Sequence, residues 1–249
     1  MAELQHPDAR SFEEVAELYE RVRPTYPDEA VTWLADQLAV GPDSTVLDLG
    51  AGTGKLTRAF VGLAGRVVAV EPGPEMLAQL RRVVPGAEAL LGAAEAIPLE
   101  DDTVDAVVCG QSFHWFRRDE AMREMRRVLR PGGGLGLIWN TRDNEDPVQA
   151  EVTNLLAPFV PPGREALPTS ARRFAAANVP DLITAEFRFE QELDSDALAG
   201  RLLSISFVAA APGEQQRELE QQLRTLVAAH GGRVPFRYRT EAYVTRNVV

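Results

Sequence analysis

Two acidic residues and three glycines stand at spacings that could hold a polar ligand. Asp48 lies inside a short apolar run, and Gly50, Gly52 and Gly54 follow it at alternate positions. Glycine lets the backbone approach a ligand closely, and a helix that begins after such a turn offers its free backbone amides to that ligand. Glu71 comes 21 residues after Gly50. A carboxylate at that distance could accept hydrogen bonds from two ribose hydroxyls.

Aromatic residues gather around a histidine further along the chain. Gln111 is followed by Phe113, His114 and Trp115, and Trp139 ends a later apolar run. Clustered aromatic rings beside one polar residue are typical of the rim of an apolar pocket. With an ordinary pKa near ~6.5, His114 could accept a proton from a substrate near neutral pH. The alternative is a histidine of the pocket wall that packs against the aromatic rings, and the sequence leaves both open.

Short apolar runs that alternate with amphipathic stretches must position these residues. The pattern predicts parallel strands joined by helices, with Asp48 in the first strand, Glu71 at the end of the second and Gln111 after the fourth. The predicted strands are 46–49, 66–70, 87–91, 106–110 and 135–139, with a half-exposed strand at 186–193 and an antiparallel edge strand at 233–246. In an open parallel sheet the carboxyl ends of the strands frame the ligand crevice, so the candidate residues are expected at that edge.

The glycine turn fits some classes of ligand better than others. A phosphate-binding P-loop needs a glycine where Leu49 stands and Ser or Thr where Leu56 stands, so this class is excluded. A dinucleotide-binding turn needs a third glycine where Lys55 stands. Its absence weakens that alternative without removing it.

Several motifs together resemble one family. The D-L-G-A-G-T-G segment that begins at Asp48 resembles motif I of class I S-adenosylmethionine-dependent methyltransferases, and R-V-L-R-P-G-G-x-L from Arg127 matches the same pattern. The segments Y-x-x-x-R-P-x-Y-P from Tyr19 and Q-x-x-H-W-F from Gln111 are similar to the small-molecule branch that includes trans-aconitate methyltransferase-like and methyltransferase type 11 domain proteins. The resemblance implies an α/β fold: a doubly wound, seven-stranded, mostly parallel sheet with the last strand antiparallel and helical lid insertions.

The resemblance also implies S-adenosylmethionine as the cofactor and assigns residues to it. The cofactor-binding candidates are Tyr19, Arg23, Asp48, Gly50, Ala51, Gly52, Thr53, Gly54, Glu71, Pro72, Met76, Ala94, Glu95 and Gln111. The candidates for the substrate pocket are Tyr26, Phe113, His114, Trp115 and Trp139. Arg23 either closes over the methionine end of the cofactor or packs within a lid, and Met76 either covers the adenine or ribose or packs in the core. Ala93 stands where the family commonly has an aspartate that contacts adenine, so the backbone near Ala94 is expected to take over that contact.

The implied reaction is transfer of a methyl group from S-adenosylmethionine to a small-molecule acceptor. Two alternatives remain, a non-catalytic S-adenosylmethionine-binding protein and a nicotinamide-dependent oxidoreductase. The whole chain, 1–249, is interpreted as one methyltransferase domain. Its predicted parts are N-terminal lid helices at 11–40, a cofactor-binding core at 44–140, a substrate-cap insertion at 141–185, and C-terminal strands and helices at 186–249.

Composition limits the partners. A net charge of −11 over 249 residues argues against a broad nucleic-acid or anionic-membrane surface. A single cysteine excludes an internal disulfide, and the three histidines fall on separate elements, so no metal site is predicted. The sequence shows no membrane span and no signal peptide. We therefore expect a cytoplasmic monomer or homodimer.

Overall fold

The computed structural model describes residues 20–161, 179, 181–246 and 248. The first predicted lid helix, including Tyr19, lies outside the described residues. Residues 162–178 of the predicted substrate cap also lie outside them. The remaining predictions can be compared with the structure.

A seven-stranded sheet forms the centre of the fold. Its strands are β1 (Thr45–Leu49), β2 (Arg66–Glu71), β3 (Glu88–Leu91), β4 (Val104–Gly110), β5 (Leu129–Arg142), β6 (Ile183–Leu193) and β7 (Val234–Thr245). They are arranged in the order β3-β2-β1-β4-β5-β7-β6. The first five strands are parallel, and β7 runs antiparallel to both of its neighbours. The predicted fold class is confirmed.

Helices cover both faces of this sheet. They are α1 (Asp28–Gln37), α2 (Lys55–Phe60), α3 (Pro74–Val83), α4 (Arg118–Val128), α5 (Pro147–Leu156), α6 (Ser195–Leu203), α7 (Ser206–Ala209) and α8 (Gly213–Ala229), with short 3₁₀ turns at Phe113–Trp115 and Ala157–Phe159. Leu34 of α1 and Phe60 of α2 pack on the face that contains Val46. Met125 of α4 packs on the opposite face, against Leu47. Because both faces are covered, all five residues of β1 are buried, which explains its nearly continuous apolar sequence.

The strand predicted at the edge is an interior strand. β7 lies between β5 and β6, and β6 forms the edge instead. Every second residue of β6 is exposed over most of its length, whereas β7 buries most of its side chains. The alternation of polar and apolar residues in the sequence predicted both β6 and β7. It did not predict their order in the sheet, because alternation carries no information about which strands pair. β5 is also longer than predicted: it begins at Leu129, which pairs with Val104, and the register then shifts so that Gly134 pairs with Ala106.

Asp105 joins the start of β1 to the start of β5. Its Oδ2 accepts hydrogen bonds from the backbone amide of Thr45 at 2.7 Å and from Nη1 of Arg130 at 2.7 Å. Burial disfavours the charged form, but these two donors outweigh it, so the pKa of Asp105 lies below its ordinary value. This carboxylate therefore helps to set the register of the strand that carries the glycine turn.

We expect Asp105→Ala to destabilise the protein by about 1–2 kcal/mol at neutral pH, because the side chain is one-third exposed and its bonds are partly screened. The folded pKa is lower than the unfolded value of about 3.9, so the stabilisation is complete above that pH and is lost as the pH falls through the folded pKa. Urea unfolding at pH 7 and pH 3 measures the difference. The exposed Asp36→Ala is the control, and an Asp105→Ala effect of equal size at both pH values would contradict this role.

Candidate functional site

Each glycine of the turn after β1 adopts a left-handed backbone conformation. The φ angles are +69° at Gly50, +59° at Gly52 and +87° at Gly54, a region that side chains disfavour. A Cβ at Gly50 would lie 2.7 Å from Cβ of Ser112, and one at Gly54 would lie 2.9 Å from Cγ of Leu80. At Gly52, no atom of the described residues lies within 4 Å of that position. The backbone of Gly52 therefore borders open space that a ligand could enter.

Glu71 joins the end of β2 to this turn. Its Oε2 accepts a hydrogen bond from the amide of Gly52 at 2.8 Å, and its Oε1 accepts one from the amide of Gly73 at 2.9 Å. The Glu71 side chain is buried. Ala51 and Pro72, which directly precede Gly52 and Gly73 in the chain, are half-buried. A carboxylate oxygen can accept more than one hydrogen bond. Glu71 can thus hold the turn and still accept from ligand hydroxyls.

Asp48 is a buried carboxylate that is only half satisfied. Its Oδ2 accepts from the hydroxyl of Thr57 at 2.6 Å, whereas the buried Oδ1 has no hydrogen-bond partner within the described ranges. Burial raises the pKa of Asp48 to about 7, although the bonds with Thr57 oppose this shift. A buried acid with a free oxygen is costly for a folded protein. Its position beside the glycine turn makes it a candidate site residue.

The N-terminal segment at residues 20–27 lies against the glycine turn and the start of α2. Oε2 of Glu20 accepts from the hydroxyl of Thr53 at 2.6 Å, Oε1 accepts from Arg58 at 2.7 Å, and the Glu20 carbonyl accepts from Nζ of Lys55 at 2.6 Å. Burial favours the neutral acid, but the bonds with Thr53 and Arg58 outweigh it and lower the pKa of Glu20. Glu20 therefore stays ionised and fastens the segment to the start of α2.

The same segment then crosses to β4 and β5. Arg23 donates to the hydroxyl and the carbonyl oxygen of Ser204, at 3.0 and 2.9 Å, so its guanidinium contacts the end of α6. Oη of Tyr26 lies 2.7 Å from the position that a Cβ at Gly110 would take. Nδ2 of Asn140 donates to the Thr25 carbonyl at 3.0 Å. Tyr26 is thus held over the carboxyl end of β4.

The residue after β4 has an unusual backbone conformation. Gln111 has a φ of +58°, which is uncommon for a residue with a side chain and is found at functional sites. Its amide donates to the Ile138 carbonyl at 3.0 Å and its Nε2 to the Asn140 carbonyl at 3.2 Å. Gln111 therefore ties the end of β4 to β5.

The aromatic residues that follow differ in their exposure. Phe113 is only 2% exposed and packs in the core beside Phe116. His114 and Trp115 are half-buried, with ring centroids 4.8 Å apart. Nε1 of the buried Trp139 donates to Nδ1 of His114 at 3.4 Å. In the neutral imidazole this arrangement places the proton on Nε2.

The residues predicted near the adenine are largely buried. Ala93, Ala94 and Met76 are each less than a tenth exposed. Oε1 of Glu95 accepts from the backbone amide of Arg117 at 2.7 Å, which joins this segment to the start of α4. The structure thus brings Glu95 to the turn that follows His114.

Comparison with known proteins agrees with this geometry. Residues 47–137, which include the glycine turn and Glu71, match the model of a methyltransferase domain. An uncharacterised methyltransferase of Mycobacterium tuberculosis is 41% identical over 88% of this chain and 86% of its own length. The chain belongs to the methyltransferase domain family. An uncharacterised methyltransferase of Schizosaccharomyces pombe is 35% identical over 96% of this methyltransferase and 98% of the relative.

A solved structure extends this similarity to the fold. The structure from Anaeromyxobacter dehalogenans, assigned as a type II methyltransferase, superposes with a TM-score of 0.66 at 28% identity. It covers 89% of this methyltransferase and 96% of its own chain. The family therefore extends over nearly the whole chain and not only over the motif at residues 47–137.

The described residues of the methyltransferase contain no group of three or more His, Cys, Asp or Glu side chains that could hold a metal ion. None of its described helices has both the length and the apolar character needed to cross a membrane.

Sequence reasoning missed residues whose roles depend on distant parts of the chain. Glu20 belongs to no motif, and its contacts with Thr53 and Arg58 arise only when the N-terminal segment folds back on α2. Ser112 donates to the Leu49 carbonyl at 2.7 Å and fills the space beside the first glycine. The only available signal was its position directly after Gln111 at the end of β4.

We expect Asp48→Asn to stabilise the ligand-free methyltransferase, by up to roughly 4 kcal/mol at pH 8 and by less at pH 5. Because the folded pKa is raised, the favourable protonated state is fully present below the unfolded pKa of about 3.9 and is lost as the pH rises through about 7. Asparagine is neutral at every pH and can still accept from Thr57. Urea unfolding at both pH values tests this, with the exposed Asp36→Asn as the control. A destabilised variant at pH 8 would show that the Asp48 charge is compensated in the free protein.

Proposed function

We propose that this methyltransferase transfers a methyl group from S-adenosylmethionine to a small-molecule acceptor. One observation carries the proposal: the Glu71 carboxylate is bonded to the amide of Gly52, beside open space at that glycine. This arrangement suits a ligand that presents ribose hydroxyls to the carboxylate while it lies against the glycine backbone.

The residues of the turn fit such a cofactor in shape and in charge. Glu71 has acceptor capacity left for hydroxyls, and the open face of Gly52 leaves room for a close approach. Asp48 offers a buried oxygen without a partner. A cationic ligand near Asp48 would favour its ionised form and offset the cost of burying that charge. Glu71, Gly52 and Asp48 together would thus suit a positively charged nucleoside.

When bound, the cofactor supplies a methyl group that is already activated by its positively charged sulfur. The contribution required of the protein is therefore to hold the acceptor in line and to exclude water. Tyr26, His114 and Trp115 are suited to this task because they stand at the carboxyl ends of β4 and β5 as half-buried rings. Their aromatic surface supports a small organic acceptor.

His114 has a place in this pocket as a wall residue. Nδ1 of His114 accepts a hydrogen bond from Trp139. To act as a general base, His114 would have to lose this hydrogen bond so that Nδ1 could take a proton. Transfer from a sulfonium needs no base when the nucleophile is already ionised. We therefore place His114 in the binding of the acceptor and not in proton transfer.

Cofactor binding is tested by calorimetry with S-adenosylhomocysteine. We expect Glu71→Gln to weaken binding by ~1–3 kcal/mol, because one charged acceptor is lost. Gly52→Ala should weaken binding at least ~10-fold, since its Cβ would occupy the space of the ligand. Glu75→Gln, an exposed acid in the first turn of α3, is the matched control. Unchanged affinity in both site variants, or tight binding of NAD(H) by the wild type, would rule out the proposed cofactor site.

The role of His114 is tested with an acceptor identified by screening metabolites for labelled methyl incorporation. We expect His114→Gln to change KM while kcat falls by less than ~10-fold, because glutamine can still accept from Trp139. Trp139→Phe, which removes the donor, serves as the comparison. A ~100–10,000-fold loss of kcat with unchanged cofactor affinity would instead identify His114 as a general base.

A further inference from the structure

Arg142 lies on the same face of the sheet as Asp48. Asp48 is level with Val108 in β4, and Val108 is level with Gly136 in β5. Side chains alternate along a strand, so the face of Gly136 is shared by every second residue up to Arg142, the last residue of β5. This face is the one covered by α1 and by residues 20–27. Arg142 therefore belongs to the side of the crevice on which Asp48 and the N-terminal segment lie.

One nitrogen of the Arg142 guanidinium is buried without a hydrogen bond. This atom, Nη1, has no hydrogen-bond partner among the described residues, although the side chain as a whole is only half-buried. Burial lowers the pKa of Arg142, and the positive charge of Arg23 adds to this effect, whereas Tyr238 opposes it. Enclosing a cation without a partner is costly, and structural arginines normally have one.

A second arginine, Arg201, contacts Tyr238, the residue that stands opposite Arg142 in β7, and is bonded only to neutral groups. Arg201, 7% exposed, donates to the Val22 carbonyl at 2.6 Å, to Oε1 of Gln191 at 2.7 Å and to Oη of Tyr238 at 2.9 Å. Its guanidinium carbon lies 5.7 Å from the centre of the Tyr238 ring. None of these groups neutralises its charge.

Tyr238 accepts a hydrogen bond from Arg201 at 2.9 Å and stands opposite Arg142 in the pairing of β5 with β7. Burial raises the pKa of Tyr238, and the positive charges of Arg201, Arg23 and Arg142 oppose that rise. Arg201 also donates to the carbonyl of Val22, which belongs to the same short segment as Glu20. Because Glu20 bonds to Thr53, this segment connects the arginines with the glycine turn.

We propose that Arg142 and Arg201, with Arg23 and Tyr238 beside them, form a subsite for an anionic group of the methyl acceptor. A guanidinium presents paired donors that match the oxygens of a carboxylate or a phosphate. The bound anion would supply the partner that Arg142 lacks. This inference rests on the proposed function, because it identifies the class of acceptor for that reaction.

The position of the cluster favours the acceptor over the cofactor as the source of the anion. The cofactor also carries a carboxylate, on its methionine end. However, β5 is two strands away from β1, which places Arg142 about 10 Å across the sheet from the strand of the glycine turn. Tyr238, on β7, lies one strand further away. The subsite thus flanks the cofactor region instead of lying within it.

The proposal is tested on protein saturated with S-adenosylhomocysteine, by calorimetric titration with malonate and, separately, with inorganic phosphate at constant ionic strength. We expect the wild type to bind at least one of the two at millimolar concentration, and Arg142→Gln to weaken that binding at least 10-fold. Arg188→Gln, an exposed arginine paired with Glu186 on β6, should leave it unchanged. The preferred probe distinguishes a carboxylate acceptor from a phosphorylated one. Binding of neither anion, or equal binding by both variants, overturns the subsite.

Two further measurements separate the possible failures. If Arg142→Gln instead weakens S-adenosylhomocysteine at least 10-fold, the anion is the methionine carboxylate and the assignment to the acceptor is wrong. If the wild type does not bind S-adenosylhomocysteine at all, the proposed function fails, while anion binding is still measured on the same sample. The thermal midpoint of ligand-free Arg142→Gln should equal or exceed that of the wild type. A lower midpoint with anion binding retained would show that Arg142 is structural.

Discussion

The bonds between Glu71 and the amide groups of Gly52 and Gly73 hold the site together. Parallel pairing sets Leu49 level with Val70, so the ends of β1 and β2 reach the same edge of the sheet. Glu71 then connects the two loops that leave these strands. Without this bridge, the left-handed glycine turn would have to hold its conformation by packing alone. The cradle for a ligand is therefore already formed in the free protein, which lowers the cost of binding.

Asp48 and Arg142 are two ionisable residues that each contain a buried polar atom with an unmet hydrogen bond in the described structure. Within the described ranges, neither Oδ1 of Asp48 on β1 nor Nη1 of Arg142 at the end of β5 has a hydrogen-bond partner. The two residues lie on strands separated by β4, and burying a polar atom without a partner costs stability in the free protein. Folded proteins retain such costs at functional sites, where a ligand supplies the missing partner. The opposite charges of the two residues agree with a cationic ligand near β1 and an anionic one near β5.

The sequence was sufficient where structure is local, and insufficient where distant segments meet. The strand, the glycine turn and α2 were predictable because Asp48 to Lys55 are contiguous, and Glu71 was predictable from its spacing. The environment of Arg142 was not predictable, because it depends on which strand pairs with β5. Side-chain alternation does not show the order of β6 and β7 in the sheet. Glu20 was missed for the same reason, since its partners lie more than thirty residues away.

The segment at residues 20–27 connects the glycine turn with the ends of α6 and β5. Glu20 is fastened to the start of α2, Arg23 to the end of α6, and Thr25 to the end of β5. Tyr26 rests over Gly110 between these points. These contacts lie on one short stretch of chain, so displacement of the whole segment would break the contacts at the glycine turn, α6 and β5 together. One short piece of backbone therefore contacts both the glycine turn and the elements around Arg142.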